Sequence, residues 1–140
     1  MTVNNINSPW TECTIVDSTV SSELESESIS IAIEKVEVLV SDPDIWEHQN
    51  IFIKGRTIRI ILGNFMDFSE INRVSGPEIK KNSSGGLIQA TGKIIGFFEG
   101  SPILDIGFPV VLYGHCNLMP TNNSICKIQG GLRIIDAAPI

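Results

Sequence analysis

The sequence predicts an all-β domain, a small antiparallel β-barrel or barrel-like sandwich with one or two short helical turns. Three observations point there. Ile, Val and Leu dominate the apolar residues while aromatics make up only 6% of the chain, and β-branched side chains fit a pleated sheet better than a helix. Apolar and polar residues alternate with period two from Ser28 to Ile33 and again from Val36 to Val40, and no segment carries a long helical period. Seven of the twelve glycines fall between Gly85 and Gly114, which suits tight turns and strongly curved strands.

At 140 residues the chain has room for one ordinary domain. Its formal charge of −6 is unevenly placed. Residues 1–34 hold six acids (Glu12, Asp17, Glu23, Glu25, Glu27, Glu34) and no Lys or Arg, and the remaining 106 residues hold ten acids and ten bases. Residues 1–27 are rich in Ser, Thr, Asn and Glu, and such a segment buries too little apolar surface to order itself. The expected division is an acidic, partly disordered arm over residues 1–27 and a barrel-like domain over 28–140. Within the arm, Cys13-Thr14-Ile15-Val16 is a β-prone patch that can add to a sheet edge.

From Ser28 onward Ile29, Ile31 and Ile33 share one face, and Val36, Val38 and Val40 continue after a one-residue slip of phase. A slip of this kind predicts a β-bulge in one long, coiled strand. Asp42-Pro43-Asp44 supplies an N-cap and a proline at the first helical position, so Ile45–His48 is expected to form one helical turn. Asn50 to Leu62 returns to β residues, with a turn or break at Lys54-Gly55-Arg56 and with Ile58, Ile60 and Leu62 inward. Asp67 and Glu70 match a capping box for a short helix through Val74, ended by Gly76-Pro77.

Lys80 to Gly86 reads as a flexible basic loop. Leu87–Phe98 and Pro102–Ile106 flank Glu99-Gly100-Ser101 as a hairpin, with Gly92 and Gly96 on one face and Gln89, Thr91, Lys93, Ile95 and Phe97 on the other. Pro109–Tyr113 is a further strand. Ile125–Ile135 closes the domain, with Ile128, Leu132 and Ile134 inward against Lys127, Gln129 and Arg133. The coiled first strand, glycine-bent middle strands and amphipathic closing strand are similar to the pattern of an OB-type barrel. The direct hairpin at Glu99–Ser101 departs from it, because that barrel inserts a helix between its third and fourth strands. The resemblance concerns fold and implies no function by itself.

Candidate chemistry is sparse. Cys13, Cys116 and Cys126 have neither the even count nor the spacing of a disulfide framework or a zinc ribbon. His115 and Cys116 are adjacent on a strand end and point to opposite faces, so no metal site is expected. Glu99 and Asp105 form a carboxylate pair only if the hairpin brings them together. No nucleotide-binding or zinc-protease signature occurs. The expectation is a protein with no catalytic residues and no cofactor.

Two surfaces remain. The outward face of the Leu87–Phe98 strand turns apolar toward the hairpin, making Lys93, Ile95 and Phe97 candidates for an interface with an identical subunit or another protein. The middle of the chain is basic. Lys54, Arg56, Arg59, Lys80, Lys81 and Lys93 are candidates for contact with single-stranded nucleic acid, with Phe65, Phe68, Phe97 or Phe98 to stack bases and the acidic arm to mask the groove. A third reading is a barrel that holds a small molecule at a mouth lined by Tyr113 and His115. The polar first ten residues carry no secretory pattern, and the charge-free stretch Ile106–Cys126 is interrupted by prolines, asparagines and a histidine. These features predict a cytoplasmic protein that does not enter a membrane.

Overall fold

The computed structural model describes residues 8–19, 27–42, 51–71, 78–81 and 88–140. Every regular element among them is a strand: β1 (Trp10–Thr19), β2 (Glu27–Ile33), β3 (Val36–Asp42), β4 (Thr57–Asn64), β5 (Ser69–Glu70), β6 (Glu78–Lys81), β7 (Ile88–Phe98), β8 (Ser101–Asp105), β9 (Pro109–Leu112), β10 (Ile125–Gly130) and β11 (Leu132–Pro139). None of the described elements is a helix long and apolar enough to cross a membrane.

Five strands close a barrel. β1 pairs antiparallel with β2 and β2 with β3; β3 runs parallel to β11, and β11 and β1 each pair antiparallel with β4. The expected all-antiparallel barrel is therefore a mixed one, because the last strand enters between β3 and β4. A second layer grows from the same β4. Its one edge is taken by β11, while its other edge pairs with β1 over Thr57–Ile61 and then with β9, in parallel, over Leu62–Asn64. From β9 the sheet continues through β8, β7 and β10 to β5, and β6 lies on the free half of β7.

Several local expectations are corrected by the pairings. The phase slip after Ile33 is a hairpin turn, with Ile33 opposite Val36 and Glu34 at φ 54°. A two-residue turn accepts this positive φ because it matches the twist of the flanking strands. Asp67 does not open a helix: its carboxylate accepts the His115 N–H at 3.2 Å, and Ser69–Glu70 pairs with β10 as β5. Ile125–Ile135 is not one strand, since the chain turns a corner at Gly130 (φ 105°) and divides between β10 and β11. The Glu99-Gly100 hairpin is present, with both residues at positive φ. The helical turn expected at Ile45–His48 and residues 82–86 of the basic loop lie outside the described residues.

The division at residue 28 changes too. β1 lies wholly inside the supposed arm, and Cys13 and Ile15 are core residues at 2% and 1% exposure. Ile29, Ile31, Val38, Val40, Ile58, Ile60, Leu62, Leu132 and Ile134 meet them inside the barrel, as the alternation requires. Each such buried aliphatic side chain stabilises the fold by roughly 1.5–3 kcal/mol relative to exposure. Five strands enclose only enough space for these side chains. Tyr113, expected with His115 at a ligand mouth, packs on the outside of the sheet, and His115 is exposed.

Candidate functional site

Along β4 the outward residues are Thr57, Arg59, Ile61 and Gly63. Thr57 and Arg59 are exposed as an outer face demands, yet Ile61 is 2% exposed. A second apolar cluster buries it. Ile61, Ile103 of β8 and Val111 of β9 form its floor on the side of the sheet away from the barrel core, and Trp10, Ile95, Phe98, Tyr113 and Ile135 roof it while remaining half-buried. Ile61 stands opposite Trp10 across one strand pair, and Ile103 stands opposite Val111 across another.

Two β-bulges build the roof. In β7 the register passes from Ile94 opposite Leu104 to Gly96 opposite Ile103, leaving Ile95 as an extra residue. In β11 it passes from Ile134 opposite Leu62 to Asp136 opposite Ile61, leaving Ile135 extra. A bulge re-aims a side chain without breaking the sheet, and both extra residues join the outer cluster. Gly63 makes room for Ile135 and Tyr113, because a Cβ there would stand 2.8 Å from Ile135 and 2.9 Å from the Tyr113 ring.

Aromatic and arginine side chains tile the adjacent surface. Phe65, 45% exposed, stacks on Tyr113 with ring centroids 5.0 Å apart and planes 16° apart. The guanidinium carbon of Arg133 is 4.5 Å from the Phe65 centroid, and that of Arg59 is 5.1 Å from the Trp10 centroid. Both lie within cation–π range. Burial, and secondarily the Glu99 carboxylate, push the Tyr113 phenol above its ordinary value.

No family model matches this chain, and no curated protein or solved structure matches it either. The site therefore stands on its own geometry.

Of the interface candidates, Ile95 lies in the outer cluster and Lys93 is exposed on the same strand, opposite Asp105. Phe97 does not join them. The bulge shifts the alternation, so Phe98 faces the cluster with Ser101 while Phe97, 41% exposed, pairs with Pro102 on the opposite face. For the same reason Gly92 and Gly96 do not share a face: Gly92 stands opposite the buried Cys126 and Gly96 opposite Ile103.

The basic candidates divide among three places. Lys54 and Arg56 flank Gly55 in the turn that enters β4, and Arg59 is drawn onto Trp10. Lys80 pairs with Glu78 at 3.3 Å, and Lys81 belongs to β6 although its side chain lies outside the described residues. Lys93 and Lys127 share the outward face of β7 and β10 with Gln89 and Gln129. Among the expected base-stacking rings, Phe68 is buried in the main core, and Phe65 and Phe98 are already packed.

Among the described residues no group of three or more His, Cys, Asp or Glu side chains is placed to hold a metal ion. Glu99 lies in the turn of the β7–β8 hairpin and Asp105 at its far end, so the two carboxylates do not face each other. All three cysteines are free. Burial pushes the Cys13 thiol up to about 12; burial, then Cys116 and Glu70, push Cys126 up to about 11. Thiols held protonated in this way are poor nucleophiles at neutral pH.

Proposed function

We propose that this chain is a non-catalytic binding and assembly module that self-associates through the outer face of β4, β9, β8 and β7. The observation that carries the reading is the second apolar cluster. An outward sheet face is ordinarily polar, whereas here Ile61, Ile103 and Val111 are buried on it under a roof of partly buried Trp10, Ile95, Phe98, Tyr113 and Ile135. A contiguous apolar patch of this kind marks an interaction surface, and pairing the same patch on two copies gives a two-fold, isologous contact. Aromatic and arginine residues at its margin are the types enriched where interfaces bind most strongly. The free thiols agree with a reducing, cytoplasmic setting.

Sedimentation velocity over the micromolar range tests this. The wild-type chain is expected to sediment as a concentration-dependent dimer. Ile95→Glu combined with Ile135→Glu is expected to give a monomer that keeps its β circular dichroism spectrum. A wild-type monomer throughout the range would rule out self-association.

We further infer that the barrel is OB-like, with a meander of three strands and the last strand entering between the third and fourth. That likeness supports a second reading, single-stranded nucleic acid, less well than it first suggests. The second and third strands of an OB barrel are the usual oligonucleotide platform, and here their outward residues Ser30, Ala32, Glu37, Leu39 and Ser41 include an acid and no base. The observation favouring nucleic acid is the separate face bearing Lys93 and Lys127. Anisotropy of a labelled oligonucleotide with the full chain is expected to rise at low salt and fall at moderate salt if phosphates bind there. Lys93→Glu with Lys127→Glu would then abolish the signal, and a flat wild-type titration would retire this reading.

A further inference from the structure

An opening lies beside β1, where the barrel and the outer sheet part. It is a cleft of about 750 Å³ whose lining includes the consecutive residues Trp10 to Thr14, Ala32 to Glu34, and Gly107 to Pro109. Neighbouring residues of a strand point to opposite faces, so a cleft lined by five in succession runs along the strand's backbone edge. It does not lie over one of its faces.

The pairings say the same. β1 bonds to β4 from Trp10 to Thr14, but its register with β2 begins only at Thr14 opposite Ala32. Among the described residues, Trp10–Cys13 therefore have a strand partner on one edge only. The Ile15 N–H donates to the Arg56 carbonyl at 2.9 Å and the Ile15 carbonyl accepts from the Gly55 N–H at 2.7 Å, so Ile15 directs its backbone groups toward the chain that leads into β4. Alternation then directs Thr11 and Cys13 to that side as well, and turns the N–H and C=O of Glu12 into the cleft.

We propose that this cleft captures a short, extended, lysine- or arginine-bearing peptide, which adds to β1 as an antiparallel or parallel strand. Main-chain hydrogen bonds to Glu12 would align it, as strand addition does at any open sheet edge. The charge of the occupant follows from the walls. Glu12 and Glu34 are the ionisable carboxylates of the lining, both are exposed, and among the described residues no Lys or Arg lines the cleft. The nearest cation in register, Arg59 opposite Glu12, has its guanidinium over the Trp10 ring. Four residues of open edge accommodate roughly 13 Å of extended chain. The inference goes beyond self-association: the two surfaces share Trp10, but this one depends on Glu12, Glu34 and the open edge of β1 and the other on Ile95 and Ile135, so either can fail alone.

The test uses the full chain and a capped pentapeptide alternating valine and lysine, followed by amide chemical shifts and calorimetry. Saturable binding is expected, with shifts concentrated at residues 11–14, 32–34 and 107–108. Glu12→Gln with Glu34→Gln is expected to weaken binding about tenfold or more while leaving the melting temperature unchanged. The same peptide N-methylated at every backbone nitrogen is expected not to bind, because neither of its edges then keeps the donors that strand addition uses. Absence of binding, shifts centred elsewhere, or equal binding by a valine–glutamate peptide or by the N-methylated one would overturn the proposal.

Discussion

Asn64 is completely buried at the end of β4, and both ends of its side-chain amide are hydrogen-bonded there. Its side-chain amide donates to the Gln129 and Gly131 carbonyls at 3.2 Å each, its side-chain oxygen accepts the Met66 N–H at 3.1 Å, and its backbone carbonyl accepts the Tyr113 N–H at 2.9 Å. One residue thus ties β4 to the β10–β11 corner and positions the Phe65–Tyr113 stack. In the sequence it is only a polar letter after Leu62-Gly63, indistinguishable from a turn asparagine, because the partners it serves lie about 65 residues away. Leucine at this position has similar volume but takes a hydrogen-bond partner from two carbonyls and one N–H. Asn64→Leu is therefore expected to cost about 3 kcal/mol, read as a lower urea midpoint with little change in slope.

At the scale of elements, close approach of two backbones decides one glycine. A Cβ on Gly92 would lie 1.8 Å from the Asp105 carbonyl oxygen, and a backbone atom cannot rotate away. Gly92→Ala is expected to push β7 from the end of β8 and lower stability by at least the 1–3 kcal/mol typical of overpacking. Thermal unfolding of this variant beside Gly100→Ala separates the two effects. Gly100 has nothing within 4 Å of its Cβ position, so any loss there reports only its φ of 86°. The strands themselves were largely legible, since Ile29–Ile33, Val36–Val40, Ile58–Leu62 and Ile128–Ile134 alternate as the core demands. Their joints were not. The Glu34-Lys35 turn lacks the Asn-Gly or Asp-Gly dipeptide that signals a two-residue hairpin. The bulges at Ile95 and Ile135 add a residue whose orientation depends on a partner strand remote in sequence. For this reason Ile95 was identifiable as an outward apolar residue, but Trp10, Tyr113 and Ile135 as its companions were not.

For the whole molecule, composition and alternation were enough for the all-β class, while closure depended on a segment that composition assigned elsewhere. Charge and polarity placed residues 1–27 with a solvated arm, because the exposed side of a barrel strand and a disordered tail use the same residues. Only the period-two placement of Cys13 and Ile15 separates them. With β1 in place, β4 pairs on both edges and β2 is covered; without it, the barrel loses Cys13 and Ile15 from its core and opens along Thr57–Ile61 on one side and Ser28–Ala32 on the other. Open strand edges beside exposed Ile29, Ile31, Ile58 and Ile60 favour pairing between chains over refolding within one. A chain comprising residues 28–140 is therefore expected to lose its cooperative thermal transition and to elute as large aggregates, and a synthetic peptide of residues 8–19 added during refolding is expected to restore part of the transition. If residues 28–140 alone melted cooperatively at the full-length temperature, β1 would be an accessory to the barrel, and the cleft beside it would belong to a dispensable strand.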